Sequence, residues 1–399
     1  MSKPNQGMAI WTQSDDAVFR VAIAGDFLPA ETVSPASGKT WESEAEIVSR
    51  YFEDVDTSLV NLECPVNVGL NPPRAKLGLG ATFAGSAESL DYLVALKAEV
   101  ASVANNHVYD YADPGVGSTV HCLAKRNINA IGYGRSLAES PSIHVRKTPS
   151  NFSIGFWAAA RGLPELSTIK SIGIEPATLK RGQQAVVALE SAGCSIKIAL
   201  LHTGLEHTNY PDPDDVRLMD ELAAEGFDVV AACHSHRTSG YRLIRRSNGK
   251  MAFCFYGLGS LTSCIAYSPL EREGLVLVVH ANSSGTICAV DLRPVFLSPT
   301  GWATVPEPHQ AKTILDRVQS ISTEISGGSY AERFYADTSK NFFSRQWRDV
   351  KVAFKHGGLT GIAQKFSRIR GRHLRRFLHK LWGPVSGSSL PSSPVQKQL

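Results

Sequence analysis

No stretch of this 399-residue chain approaches the roughly 18–20 consecutive apolar residues that a membrane-spanning helix needs. Its first residues, MSKPNQGMAIWTQSDD, hold no apolar core of a secretory signal. Cysteine occurs seven times (64, 122, 194, 233, 254, 264, 288), never as Cys-X-X-Cys. An odd, scattered set inside apolar runs argues against a disulfide framework or a zinc knuckle. It reads as buried free thiols in a reducing compartment. A Walker-type Gly-rich loop is also missing, which argues against ATP-driven ligation by this chain alone. The expectation is a cytoplasmic globular protein that does not span a membrane.

Charge is ordinary in amount and uneven in place. The chain is 43% hydrophobic and 20% charged, with a net charge of +4. Residues 341–399 contain twelve Lys/Arg and one acid, Asp349, a net +11; residues 1–340 therefore carry −7. The body is acidic and the tail strongly basic.

Apolar periodicity gives alternating strands and helices. Strands are expected at 19–27, 57–63, 100–106 and 195–202, and at the apolar run from Phe227 that ends in Cys233-His234-Ser235-His236. Helices are expected at 43–52, 86–99, 115–127 and 214–225. Runs at 251–261 and 274–295, with turns at Ser247-Asn248-Gly249 and Ser283-Ser284-Gly285, read as hairpins. This order argues for one layered α/β domain over residues 17–297. A Pro-marked linker and basic helical extension (298–382) and a disordered tail (383–399) follow.

Five of the strands end in polar residues of metal-ligand type. They are Asp26, Glu63 (with Asn61), Asn106-His107 (with Asn105), His202 (with Glu206), and the pair His234 and His236. In a parallel-rich sheet such C-terminal ends converge on one edge. If the last strand continues, residues two apart aim both imidazoles to one side. Two carboxylates, an amide oxygen and three imidazoles suit Zn, Mn, Fe or Mg-type ions and can hold two of them roughly 3.5–4 Å apart. Plainer readings stand beside this one. Asp26 can cap a helix, Glu63 can be a solvated strand end, and His234 and His236 can bond only to backbone. One of Asn105 and Asn106 is expected to be structural. Asp110 either orients His107 or caps the following helix. Glu206 and His207 are expected beside the ligands or at the surface, and the remaining histidines follow no pattern.

The ordered set Gly25-Asp26, Asn61-Leu62-Glu63-Cys64-Pro65, Ala104-Asn105-Asn106-His107-Val108-Tyr109-Asp110, His202-Thr203-Gly204-Leu205-Glu206, His234-Ser235-His236 and Tyr256-Gly257-Leu258-Gly259-Ser260 resembles the CapA family. That family is associated with capsule and poly-γ-glutamate synthesis. The resemblance covers about residues 19–261. It implies a four-layered α/β/β/α sandwich similar to the calcineurin-like metallophosphoesterases. It implies metal ligands at Asp26, Glu63, Asn106, His202, His234 and His236, and one or two divalent ions (Mn, Zn or Fe). It implies a catalytic role for His107 with Asp110 beside it. The departures are Leu28 where the metallophosphoesterases carry the His of Asp-X-His, Ala232 and Ser235 in the late motif, and Ser260 after Gly259.

The expected function is metal-dependent hydrolysis of phosphoester or amide bonds in capsule or exopolymer biosynthesis. The rival is a non-catalytic accessory protein that binds polymer or a synthase partner. In the tail, Leu374, Phe377, Leu378 and Leu381 share one helical face amid Arg and Lys. Residues 362–382 thus suit an anionic membrane surface, the inner face for a peripheral cytoplasmic protein. Docking on the acidic body or a partner, and nucleic-acid binding, are the weaker alternatives.

Overall fold

The strand β2 (Ala17–Leu28) alternates only at its start: Val18 faces solvent, and every residue from Val21 onward is buried. A strand buried on both faces lies between two packed layers. The structure, a computed structural model, describes residues 7–29, 45, 46, 48–69, 82–134, 140–161, 173–266 and 268–338.

Among the described residues, one large sheet contains β1 (Met8–Thr12), β2, β3 (Thr57–Leu62), β4 (Ala98–Ser102), β5 (Asn129–Ile131), β14 (Ser260–Ser263), β15 (Glu273–Asn282), β16 (Ile287–Leu297) and β17 (Ala303–Thr304). Its order is β1-β16-β15-β2-β3-β4-β5, with β14 on β2 and β17 on β16. The run β2 to β5 is parallel, and β15, β16 and β1 are antiparallel. A second sheet has the order β12 (Tyr241–Arg245), β13 (Met251–Phe255), β11 (Val229–Cys233), β10 (Cys194–His202), β8 (Ser153–Ala160), β7 (Ile143–Lys147). Its four central strands are parallel and its two edges antiparallel. A short ribbon joins β6 (Tyr133–Gly134) to β9 (Gly173–Ile174).

The period of two in the second sheet shows what covers each face. Ile196, Ile198, Leu200, Val229, Ala231, Phe253 and Phe255 share a core with the first sheet. The alternate residues Ala199, Leu201, Val230, Ala232 and Cys254 pack with helices α3 (Leu179–Ser191) and α4 (Pro213–Glu225). Within that outer core Trp157 stacks on Phe227 with centroids 5.4 Å apart. Helices α1 (Leu90–Ala95) and α2 (Ala112–Ala124) bury Leu90, Leu93, Val116 and Leu123 in the core of the first sheet. The four layers are α/β/β/α.

Local signals set the helix ends. Thr178 accepts from the Arg181 N–H at the start of α3, and Asp212 from the Asp214 N–H at α4, with Pro213 in the first turn. Gly226, at φ +144°, closes α4. The helix expected over 86–99 is shorter, because Lys97 turns at φ +54° and Ala98 already pairs in β4. The strand expected over 100–106 ends at Ser102, and Asn105 and Asn106 lie in the loop beyond. Both expected hairpins form, with Gly249 and Gly285 at positive φ in their turns. Helix α5 (Pro308–Gly327) lays Ile314, Val318, Ile321 and Ile325 along one stripe against both cores. Residues 330–338 are helical as well. The basic segment 362–382 and the tail 383–399 lie outside the described residues.

All seven cysteines are free, and six are buried. Among the described residues no helix is long and apolar enough to cross a membrane.

Candidate metal centre

Parallel strands from both sheets end at one edge of the sandwich, and their polar termini meet there. β2 brings Asp26; the exit of β3 brings Glu63; the loop after β4 brings Asn106; β10 ends on His202; the loop after β11 brings His234 and His236. Asp26 and Glu63 are fully buried, and His202 and His236 are each 3% exposed. An ionised carboxylate removed from water costs several kcal/mol unless it is compensated. The fold buries two of them side by side.

The contacts are close. His236 Nδ1 lies 3.1 Å from Asp26 Oδ2 and 3.7 Å from Glu63 Oε2. His202 Nε2 lies 3.5 Å from Glu63 Oε1 and 2.8 Å from Asn106 Oδ1. The His234 backbone N–H donates to Asp26 Oδ2 at 3.0 Å, and the rings of His202 and His234 are 4.4 Å apart. Donor atoms of Asp26, Glu63 and His236 fall within 4.8 Å of one another; so do those of Glu63, His202 and His234, and of Asp26, His202 and Cys233.

Two backbone devices create this convergence. The His-X-His segment is not a continuing strand: β11 stops at Cys233, and His234 and His236 take φ +108° and +55°. Left-handed backbone, rare outside glycine, costs of order 1–3 kcal/mol per residue, so here strain rather than strand pleat aims the two rings. The second device is a close crossing beneath Asp26. A Cβ on Gly25 would sit 2.0 Å from the Gly259 carbonyl oxygen, and that oxygen accepts the Asp26 N–H at 3.1 Å.

The two asparagines after β4 divide the work. Asn105 is fully buried; its amide donates to Leu62 O at 2.7 Å and its oxygen accepts from the His107 and Val108 N–H groups. It braces the loop, while Asn106 faces His202. Asp110 Oδ2 lies 2.8 Å from His107 Nδ1 and accepts the Phe83 N–H at 2.9 Å. No side chain caps α2. Leu28 is fully buried, so the position of the absent histidine belongs to the core.

Sequence reasoning passed over Cys233 and Glu271 and gave Asn61 no role of its own. Asn61 donates to Asp26 Oδ1 at 2.8 Å and lies 3.2 Å from His202 Nδ1. Its position two residues before Glu63 was the available signal. Cys233 Sγ lies 3.7 Å from His202 Nδ1. Glu271, far along the chain, contacts Arg237 and His207, both at 3.1 Å; nothing in the sequence marks it.

Charge at the centre is only partly balanced. Burial works to raise Asp26, but the hydrogen bond and charge of His236, with His202 and Asn61, hold its carboxyl well below the usual range. Burial opposes protonation of His236, yet Glu63 and Asp26 outweigh it and raise the group to about 9. Burial and the neighbouring His234 push His202 well below its ordinary value. One imidazolium between two carboxylates leaves negative charge over. His234 Nδ1 is buried with no hydrogen-bond partner among the described residues. A mixed oxygen and nitrogen donor set with residual negative charge and an unused ring nitrogen fits a divalent cation.

The bacterial capsule synthesis protein family PGA_cap matches residues 20–263. The PGA biosynthesis protein CapA of Bacillus subtilis (strain 168) is 24% identical over 285 residues, 69% of this chain and 70% of that protein. The capsule biosynthesis protein CapA of Bacillus anthracis is 22% identical over 245 residues, 60% of this chain; the match spans 58% of the anthracis protein's own length. A crystal structure of the calcineurin-like phosphoesterase YfkN from Bacillus subtilis is similar over 79% of this chain and 98% of that chain, with a TM-score of 0.43 and 12% identity.

Proposed function

The chain belongs to the bacterial capsule synthesis protein family PGA_cap, and from that premise we propose that it is a metal-dependent hydrolase of phosphoester or amide bonds in the synthesis or trimming of an anionic cell-envelope polymer. One observation carries the reading: the burial together of Asp26, Glu63, His202 and His236 at the meeting edge of two sheets. Asp26, Glu63, Asn106, His202, His234 and His236 would hold one or two ions, Mn, Zn or Fe by donor type. A bound ion supplies Lewis acidity and lowers the pKa of coordinated water to about 7.

The protein's own groups do the rest. His107, steered through Nδ1 by Asp110, presents Nε2 as the atom that gives a proton to a leaving group. The ring of Phe83 packs edge-on at 4.7 Å and limits its swing. Asn61 fixes the Asp26 carboxylate, and Asn105 fixes the loop bearing Asn106 and His107. Polymer, a phosphoester or a polymer synthase are the partners this reading assigns. Its place is the cytoplasmic side of the membrane, with segment 362–382 on anionic lipid.

Elemental analysis of untagged, chelator-free protein tests the centre. The wild type is expected to carry about one or two equivalents of Mn, Zn or Fe, and the His234→Ala/His236→Ala double variant none. Wild type that stays metal-free after reconstitution overturns the reading. A second reading, an accessory protein that binds polymer without cleaving it, is favoured by buried Leu28, which leaves the site one imidazole short. Metal-loaded protein inert toward both phosphoesters and γ-glutamyl peptides would favour it.

A further inference from the structure

Besides His107 and Asp110, a second histidine–carboxylate pair stands beside the centre. His207 Nδ1 lies 3.1 Å from Glu271 Oε1, and its ring centroid is 6.4 Å from that of His236. The pair is built from buried parts. Glu271 is 4% exposed; Oε2 accepts the Ser268 N–H at 3.1 Å, and Oε1 accepts from Arg237 Nη2 at 3.1 Å. Arg237 Nη1 reaches Asn209 Oδ1 at 3.3 Å, and the Asn209 amide donates to Thr238 O at 2.9 Å. The His207 N–H donates to Ser235 O at 2.9 Å, which ties its loop to the one bearing His234 and His236.

Charge within the group narrows the role. Arg237 and Glu271 cancel each other, and both are mostly covered; the half-buried Glu206 Oε2 lies 3.8 Å from His207 Nε2, beyond hydrogen-bond reach, and a bound anion has to turn it aside. His207 keeps 23% of its side chain exposed and takes φ +67°, a strained backbone for a ring-bearing residue. The loop sustains that strain while holding an imidazole edge accessible within one ligand's width of His236.

We propose that His207, positioned by Glu271, is an oxyanion-binding residue of this centre. It takes a phosphate or carboxylate oxygen of the substrate on the His236 side, while His107 serves the leaving-group side. The inference rests on the metal-centre reading above. A hydrogen bond to a charged group is worth about 1.5–3 kcal/mol, which corresponds to roughly 10- to 100-fold in affinity.

The test is calorimetric binding of inorganic phosphate, and separately of a γ-linked glutamate trimer, to metal-loaded full-length protein and its His207→Asn variant. Asparagine tolerates left-handed backbone, so the change removes the ring without adding strain. Metal content is measured on the same samples. The expected result is unchanged metal content with binding of at least one probe weakened about 10-fold or more. Glu271→Gln, which keeps the side chain's size and hydrogen-bonding capacity, should weaken the same probe by a smaller factor. Equal binding by wild type and His207→Asn overturns the inference and leaves the metal centre standing. Metal-loaded wild type that binds neither probe overturns it too. Wild type that takes up no metal overturns both.

Discussion

In the proposed function, His107 and Asp110 carry the chemistry that single substitutions can test. Asp110 is fully buried, and its Oδ2 serves both His107 Nδ1 and the Phe83 N–H. With Nδ1 committed, proton exchange with a ligand goes through Nε2. Positioned general acids contribute roughly 10²- to 10⁴-fold. His107→Gln is therefore expected to lower kcat at least about 100-fold with metal content intact. Asp110→Asn should lower it by about 10- to 100-fold, the usual cost of losing an orienting partner. Steady-state kinetics alongside elemental analysis separates the two effects: metal lost together with activity would move His107 from chemistry to site assembly.

At the scale of elements, the crossing of β2 under the Gly257–Gly259 segment is the tightest joint near the centre. Gly25→Ala drives a methyl into the Gly259 carbonyl, where the approach of 2.0 Å is to backbone that cannot swing away. It should destabilise by about 1–3 kcal/mol or more and disturb Asp26 with it. Gly117, inside α2 with nothing within 4 Å of an added Cβ, is the contrast. Gly117→Ala should stabilise by up to about 1 kcal/mol, and urea denaturation of both variants checks the pair. Most elements that carry the centre were readable, because each is an apolar run stopped by a polar residue at the sheet edge. β8 was not read, although Ser153–Ala160 is buried throughout; its Gly and three alanines mute the β-branched signal. The geometry of His234 and His236 escaped for a different reason. Positive φ at a non-glycine residue leaves no mark in composition or period, so the sequence suggests strand pleat where loop strain supplies the aim. Glu271 was invisible because its partners at 207 and 237 are distant in sequence and meet it only through the fold.

On the scale of the whole molecule, a net −7 over residues 1–340 is set against +11 over 341–399. The membrane proposal for segment 362–382 gives the sharpest outcome. Full-length protein should sediment with phosphatidylserine-containing vesicles at low salt and release as ionic strength rises. Removal of 362–382 should abolish that binding; binding that persists unchanged would sink the proposal. The division of donors between the sheets has its own consequence. Asp26 and Glu63 come from one sheet, and His202, His234 and His236 from the other. An ion shared among them is a rivet through both halves of the sandwich, and by linkage its affinity becomes part of the folding free energy. Cells that starve this protein of metal would then lose it to proteolysis, and its abundance would report on the metal supply.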